Sequence, residues 1–215
     1  MDTVSAAQFV RDQIPPTLQS LIPTTLRTAY NQAALIVKSD PVFQIESAVD
    51  NRGRLIAWAV DFGFKRLIDS GQWPYDYRWR HFAKPTGRYL EVRLPHSLLT
   101  ISQVSDPKRQ PRNAVYRQQK RLNNEPFFDL DEFREDNSIN GLPQFIVIHG
   151  HQDLNFVHIG VPHCLHDRDW IYRTPNLLNL PHVMQSGLPE AEETDYEALI
   201  TLRDEIQKWR RENGE

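Results

Sequence analysis

The stretch that decides the fold is residues 88–104, RYLEVRLPHSLLTISQV. Apolar and polar residues alternate in Arg88–Leu94, and β-branched and apolar residues are frequent in Leu98–Val104, as is typical of β-strands. Pro95-His96-Ser97 separates the two runs and has the composition of a turn. The stretch therefore predicts two antiparallel strands joined as a hairpin.

Apolar runs farther along the chain predict more strands of the same sheet. Gln144–His149 and Asn155–Val161 predict a second hairpin, and Trp170–Arg173 predicts a further strand beside it. Trp73–Gly87 is rich in aromatic residues and arginine and contains two prolines, so it predicts an ordered loop with little regular structure. The expected sheet is antiparallel and has four to five strands.

Helical periodicity dominates the first seventy residues and returns at the end of the chain. Ser5 is a candidate N-cap, and Asp40 followed by Pro41 is a typical helix start. The predicted helices are Ala6–Ile14, Thr25–Lys38, Pro41–Val49, Arg54–Asp69 and the amphipathic segment Glu190–Asn213. Because the helices and the strands are segregated along the chain, the sequence predicts an α+β fold.

We expect one α+β domain over residues 1–215, with a helical part (1–71), a sheet-bearing part (72–189) and a long C-terminal amphipathic helix (190–215). The chain is 40% hydrophobic and 25% charged, which excludes collagen-like and coiled-coil architectures. Its single cysteine excludes an internal disulfide. No basic-then-apolar leader and no run of 18 apolar residues is present, so we expect a cytoplasmic protein without a membrane segment.

Charge is distributed unevenly along the chain. Trp73–Arg121 holds 11 basic and 3 acidic residues, a net charge of 11 − 3 = +8, whereas the rest of the chain carries 14 − 25 = −11. A basic block within an acidic protein is typical of a surface that binds an anionic ligand. The sequence therefore predicts a polyanion-binding region inside a chain whose overall charge is only −3.

Aromatic residues alternate with arginines in the first part of this block, from Trp73 to Tyr89. Aromatic side chains can stack on unpaired bases, and arginines can bind the phosphates between them. The predicted nucleic-acid-binding residues are Arg78, Trp79, Arg80, Arg88, Lys108, Arg109, Arg112, Arg117, Lys120 and Arg121. The alternative is structural, because aromatic residues in a loop often fill the core while arginines extend over them. The acidic segment that follows the block could also pair with it internally.

Five of the eight histidines lie within eighteen residues, from His149 to His166, with Cys164 among them. Imidazole and thiolate groups are common ligands of Zn²⁺. His149 and His151 would share a face if the strand continued, and His158 could approach them across the predicted hairpin. These three histidines are the candidate metal ligands, although no established ligand spacing is present.

Asp76, Glu91 and Arg93 form a second candidate site. The runs Trp73-Pro74-Tyr75-Asp76 and Leu90-Glu91-Val92-Arg93 loosely resemble the PD-(D/E)xK nuclease pattern, with arginine where that pattern has lysine. The resemblance implies two carboxylates that hold Mg²⁺ and a cationic side chain that stabilises the reacting phosphate.

Three hypotheses follow for the function. The first is an intracellular protein that interacts with nucleic acid through the basic, aromatic-rich block. The second is a metal-dependent nuclease or phosphodiesterase, of the kind found in toxin or defence systems, that uses Mg²⁺ or Zn²⁺. The third is a regulatory module without catalysis, in which the C-terminal helix or Glu125–Asp136 binds a protein partner or a second copy of the chain.

Overall fold

The structure of the protein is a computed structural model that describes residues 5–49, 51–82, 87–112, 114–124, 141–164, 166 and 169–180. The chain divides into two compact units, Met1–Pro181 and His182–Glu215. All described residues belong to the first unit. The predicted C-terminal helix, Glu190–Asn213, lies outside the described residues, and the single domain over residues 1–215 stays a prediction.

Helices make up most of the first seventy residues, as predicted. They are α1 (Ala6–Gln13), α2 (Pro16–Gln19), α3 (Leu21–Ser39), α4 (Glu46–Val49) and α5 (Arg52–Asp69), and a sixth helix, α6 (Val115–Arg121), follows the third strand. Two short 3₁₀ helices cover Pro41–Gln44 and Leu177–Asn179. Within the described residues, no helix is both long and apolar enough to cross a membrane.

The caps at two predicted helix starts are present. The Ser5 side chain accepts a hydrogen bond from the Gln8 amide, and the Asp40 side chain accepts one from the Val42 amide. The segment after Asp40 is not one continuous helix, because Ile45 adopts an extended conformation between the 3₁₀ helix and α4.

In the part of the chain that the structure describes, six strands form a single mixed sheet with the spatial order β1-β2-β3-β4-β5-β6. The strands are β1 (Asp76–His81), β2 (Arg88–Arg93), β3 (Leu98–Val104), β4 (Gln144–Gly150), β5 (Val157–Pro162) and β6 (Trp170–Arg173). Neighbouring strands are antiparallel except β3 and β4, which are parallel. The α+β class is confirmed, whereas the predicted antiparallel sheet of four to five strands is wrong in strand number and direction.

The extra strand and the parallel pair each have a physical reason. The predicted loop Trp73–Gly87 contains β1, an edge strand that is exposed at five of its six positions and therefore lacks the apolar alternation of a half-buried strand. The connection between β3 and β4 includes α6 and is long enough to return the chain to the same end of the sheet. Such a crossover allows parallel pairing, which a tight turn does not.

One face of the sheet, the helical face, packs on the N-terminal helices. Its buried side chains are Leu90, Val92, Leu99, Phe145, Val147, Val157, Ile159 and Val161. They share one core with α1, α3 and α5, and the Phe9 and Phe145 rings meet edge to face at 5.7 Å. This apolar layer holds the sheet rigidly and leaves its opposite face to interact with α6.

The opposite face, the polar face, buries polar side chains in its middle strands. Glu91, Thr100, Ser102, Gln144 and His158 are buried there. This face also carries a small apolar cluster, made of Val104, Ile146, Ile148 and Phe156 with Trp170 packed against them. The buried polar side chains of this face can therefore pair with charged and hydrogen-bonding groups of α6.

The Trp170 indole lies directly against Gly160 of β5. A Cβ atom at this position would overlap the indole ring. We expect Gly160→Ala to lower the free energy of unfolding by about 1–3 kcal/mol, because a well-packed region resists additional atoms. Urea denaturation measures the change. In the Trp170→Leu background the cost should largely disappear, and an equal cost in both backgrounds would contradict the overlap.

Candidate anion-binding face

α6 lies across the polar face and is held there by its basic side chains. The Lys120 ammonium forms an ion pair with the carboxylate of Glu91 in β2. Arg117 Nη2 donates a hydrogen bond of 2.9 Å to Oγ of Ser102 in β3. The exposed positions of α6 are Val115, Gln118 and Gln119. The helix therefore turns its cations toward the sheet and its neutral residues toward solvent.

The chain after α6 is fixed by a buried amide network. Asn124 donates to the carbonyl of Pro162 at 2.8 Å, and its Oδ1 accepts from the Gln144 amide at 2.6 Å. The Gln144 side-chain Nε2 in turn contacts Thr100 Oγ1 at 3.0 Å. This network ties three strands to α6 and gives the polar face a fixed arrangement.

Glu91 is a buried carboxylate surrounded by cations. Its Oε1 accepts from Arg80 Nε at 3.1 Å, and its Oε2 pairs with Lys120. Arg78 lies directly opposite on β1, and Arg93 follows two residues later on the same face of β2. Burial, with the nearby Arg80 charge adding to it, lowers the pKa of Lys120 to about 8. The single carboxylate of Glu91 therefore lies among four cations, and the net charge around it is positive.

Three aromatic rings at the same end of the sheet form an internal stack. Tyr89 stacks on Tyr116, at 4.2 Å between ring centroids, and on Phe82, at 5.2 Å, and the Phe82 and Tyr116 rings also contact each other at 5.4 Å. The Arg117 guanidinium lies 4.9 Å from the Tyr116 ring centroid. Burial raises the pKa of both tyrosines. The stack packs α6 against β2, so these rings have a structural role.

Most of the remaining aromatic residues of the basic block also pack internally. Trp73 is fully buried and donates its indole N–H to the Leu18 carbonyl at 3.2 Å. The Tyr75 hydroxyl donates to the Gln13 carbonyl at 2.6 Å. Trp79 differs, because 41% of its surface is exposed. It is the aromatic residue of β1 and β2 that presents most surface to solvent.

Arg78, Arg88 and Arg93 are exposed, and within the described residues none of the three forms an ion pair. Arg78 and Arg93 project from the polar face, whereas the strand register places Arg88 and Trp79 on the helical face, at the outer end of the sheet. Arginine presents a planar set of donors that matches phosphate oxygens. These side chains are the accessible cations of the two outer strands.

A second exposed basic group, Lys108, Arg109 and Arg112, follows β3. Trp170 donates its indole N–H to the Lys108 carbonyl at 3.1 Å, which holds this segment against β6. Arg109 pairs with Asp106 at 3.5 Å and keeps 76% of its side chain exposed. β2 and β6 are four strands apart in the sheet, which corresponds to about 19 Å. The exposed predicted cations therefore fall into two groups, one on β1 and β2 and one beside β6.

The other three predicted nucleic-acid-binding residues belong to α6 and are half-buried: Arg117, Lys120 and Arg121. Arg117 and Lys120 bind groups inside the protein, the Ser102 hydroxyl and the Glu91 carboxylate. The Nε atoms of Arg117 and Arg121 are buried, and neither has a hydrogen-bond partner in the part of the chain that the structure describes. Sequence alone could not separate these inward cations from the outward ones, because a basic helix looks the same in either orientation.

The candidate histidine ligands are not brought together. His149 lies on the helical face, where its Nδ1 is 2.7 Å from the Tyr30 hydroxyl, and burial lowers its pKa to about 3. His158 lies on the polar face and donates from Nδ1 to the Thr174 carbonyl at 2.8 Å. His151 is exposed beyond the end of β4. Among the described residues, no group of three or more His, Cys, Asp and Glu side chains could hold a metal ion.

The candidate nuclease residues do lie on one face of β1 and β2. Asp76, the first residue of β1, pairs in register with Arg93, so Asp76 and Glu91 are diagonal neighbours. Diagonal positions usually lie about 7–8 Å apart. Both oxygens of Glu91 are bound by cations, at Arg80 and Lys120. The structure thus places Glu91 at the centre of an ion-pair group.

Several residues of the polar face were not among the predicted site residues. Thr100 and Ser102 alternate with Leu99 and Ile101 in β3, and Gln144 begins β4. A period-two row of polar residues in an otherwise apolar strand indicates a second, polar face, and this signal is visible in the sequence. Their partners, such as Arg117 of α6 for Ser102 and Asn124 after α6 for Gln144, are visible only in the fold.

Comparison with known proteins adds no relative: the chain matches no protein-family model, no curated protein and no solved structure. A function for this chain is therefore inferred from the geometry and charge of the described residues.

Proposed function

We propose that the protein binds nucleic acid through β1 and β2, which we call the basic ribbon. The proposal rests on one observation: the ribbon carries exposed arginines whose charge exceeds that of its acids. It contains four arginines and two acids, 4 − 2 = +2, and Lys120 raises the local charge to +3. Because Glu91 is buried beneath these cations, solvent meets mainly the arginines.

The second basic group favours a polymer over a small anion. Lys108, Arg109 and Arg112 are exposed at the β6 side of the polar face, about 19 Å from β2. A single phosphate or nucleotide would reach one group, whereas a polyanion can contact both. Phosphate contacts of this kind position a nucleic acid and make binding strongly dependent on salt.

The test compares two triple variants of the full chain that lose the same charge. Arg78→Gln/Arg88→Gln/Arg93→Gln removes three exposed cations of the ribbon that make no ion pair within the described residues, and leaves Arg80 with Glu91. Loss of three contacts with a single strand should lower the salt slope of binding by about 2 and weaken binding about 100-fold at 0.1 M salt. Fluorescence anisotropy of a labelled 20-nucleotide single strand, measured at several salt concentrations between about 0.05 and 0.3 M, gives both values.

The matched control is Arg11→Gln/Lys38→Gln/Arg54→Gln, which removes three exposed cations from the helices. It should bind as the unmodified protein does. Equal weakening by both triple variants would show that only net charge matters and would overturn the proposal. Polyglutamate of similar charge is the second probe. If it binds as tightly as the oligonucleotide, the ribbon does not prefer nucleic acid over an acidic polypeptide, and the proposal is overturned.

A further inference from the structure

We infer that the nucleic acid is single-stranded and that Trp79 stacks on one of its bases. This inference rests on the proposed function of the basic ribbon and names the substrate class. Its starting point is that Trp79 keeps 41% of its surface exposed on β1, at the outer edge of the sheet. The other rings near it are committed to packing, as the Phe82–Tyr89–Tyr116 stack shows.

Exposed arginines lie on both faces of the two outer strands near Trp79, whose own side chain is on the helical face. Arg78 and Arg80 flank Trp79 in sequence and project from the polar face, with Cα atoms about 7 Å apart for two residues of a strand. That separation is comparable with the distance between successive phosphates along an extended strand. Arg88 shares the face of Trp79 as its diagonal neighbour on β2. A polynucleotide that follows the edge strand can therefore meet phosphate donors and a stacking surface together.

The position of Trp79 excludes a duplex as the preferred ligand. In a duplex each base face is covered by the next base pair, so an indole fixed on a sheet edge meets only sugar and phosphate. In a single strand the bases are free to turn onto an aromatic surface, and every base offers a π-face. Stacking of this kind tolerates any sequence.

The experiment separates bases from phosphates. Three probes of equal length are bound to the full chain: a 12-nucleotide oligothymidine, an abasic 12-mer with the same phosphates, and a 12-base-pair duplex. We expect the unmodified protein to bind oligothymidine about 5- to 150-fold more tightly than the abasic strand, the range of one stacked base. Trp79→Ala should bind both single strands with the affinity of the abasic one and keep the salt slope, and Trp79→Phe should retain much of the preference.

The control is Trp58→Ala, which removes an indole of α5 that is 48% exposed and should leave all three affinities unchanged. Equal binding of oligothymidine and the abasic strand by the unmodified protein would overturn the inference and leave the proposed function standing. A Trp79→Ala variant that keeps the preference, or a duplex that binds more tightly than oligothymidine, would also overturn it. The absence of salt-dependent binding to every probe would instead contradict the proposed function.

Discussion

Replacing Glu91 with alanine is expected to lower the free energy of unfolding by about 3–5 kcal/mol, because the change leaves cations without their counter-charge in a buried site. The Glu91 side chain is 4% exposed, and the Lys120 side chain with which it pairs is 16% exposed. Arg80 donates to the other carboxylate oxygen. Urea denaturation at pH 7 measures the loss.

Two comparisons show whether charge or shape is responsible. Glu91→Gln keeps the shape and an acceptor oxygen, so it should cost less than Glu91→Ala. Asp106→Asn breaks the exposed pair with Arg109 and should cost no more than about 1 kcal/mol. The double variant Glu91→Leu/Lys120→Met removes both charges and should recover much of the stability. A Glu91→Ala variant as stable as Asp106→Asn would contradict the central role of this carboxylate.

Glu91→Gln also distinguishes binding from the nuclease hypothesis. The substitution makes the basic ribbon more positive by one charge, so the folded variant should bind single-stranded nucleic acid at least as tightly as the unmodified protein. A metal-binding catalytic carboxylate would behave differently, because its amide variant would lose a cleavage activity that the unmodified protein shows with Mg²⁺. Incubation of both proteins with labelled DNA and RNA separates the two outcomes.

Acid should destabilise the fold through His149. Burial lowers the pKa of this imidazole from 6.5 to about 3, and the side chain is 1% exposed. Above pH 6.5 it is neutral in both states and contributes no pH dependence. Between pH 6.5 and 3 the unfolded chain binds a proton that the folded chain excludes, so stability falls as the pH falls. The expected contribution is about 3 kcal/mol lost by pH 4.

The effect is measured as a difference between proteins, because Asp61 acts in the opposite direction. Burial raises the pKa of this α5 carboxyl from 3.8 to about 7, so the folded chain binds the extra proton between these values and gains stability as the pH falls. Urea denaturation from pH 7 to pH 4 should therefore show a shallower loss in His149→Asn than in the unmodified protein. His151→Asn, at an exposed site, should follow the unmodified curve. Parallel curves for all three proteins would contradict the role of His149.

The Tyr30 hydroxyl gives the buried His149 ring a hydrogen-bond partner. It lies 2.7 Å from His149 Nδ1 and also contacts the Gly150 carbonyl, so the ring is hydrogen-bonded within the core between α3 and β4. The sequence places this histidine at the end of an apolar strand. Its partner is 119 residues away along the chain, and no local pattern can identify it.

The sequence by itself determined the local elements of this protein. Leu98–Val104 and Trp170–Arg173 are strands with the predicted bounds, and the Ser5 cap begins the first helix as predicted. These features depend on apolar periodicity, capping side chains and turn residues, which act over a few positions along the chain. The α+β class follows from them, because the helices and the strands are segregated in sequence.

Only the tertiary structure decided how these elements meet. The register of β4 with β5 puts His149 and His158 on opposite faces of the sheet, although both belong to one short histidine-rich stretch. The orientation of α6 turns Lys120 inward to Glu91, while Arg78 and Arg93 stay exposed. Pairing partners, faces and burial depend on contacts between residues far apart in the chain. For that reason the net charge of the basic block was readable from the sequence, whereas the choice of which cations face solvent was made by packing.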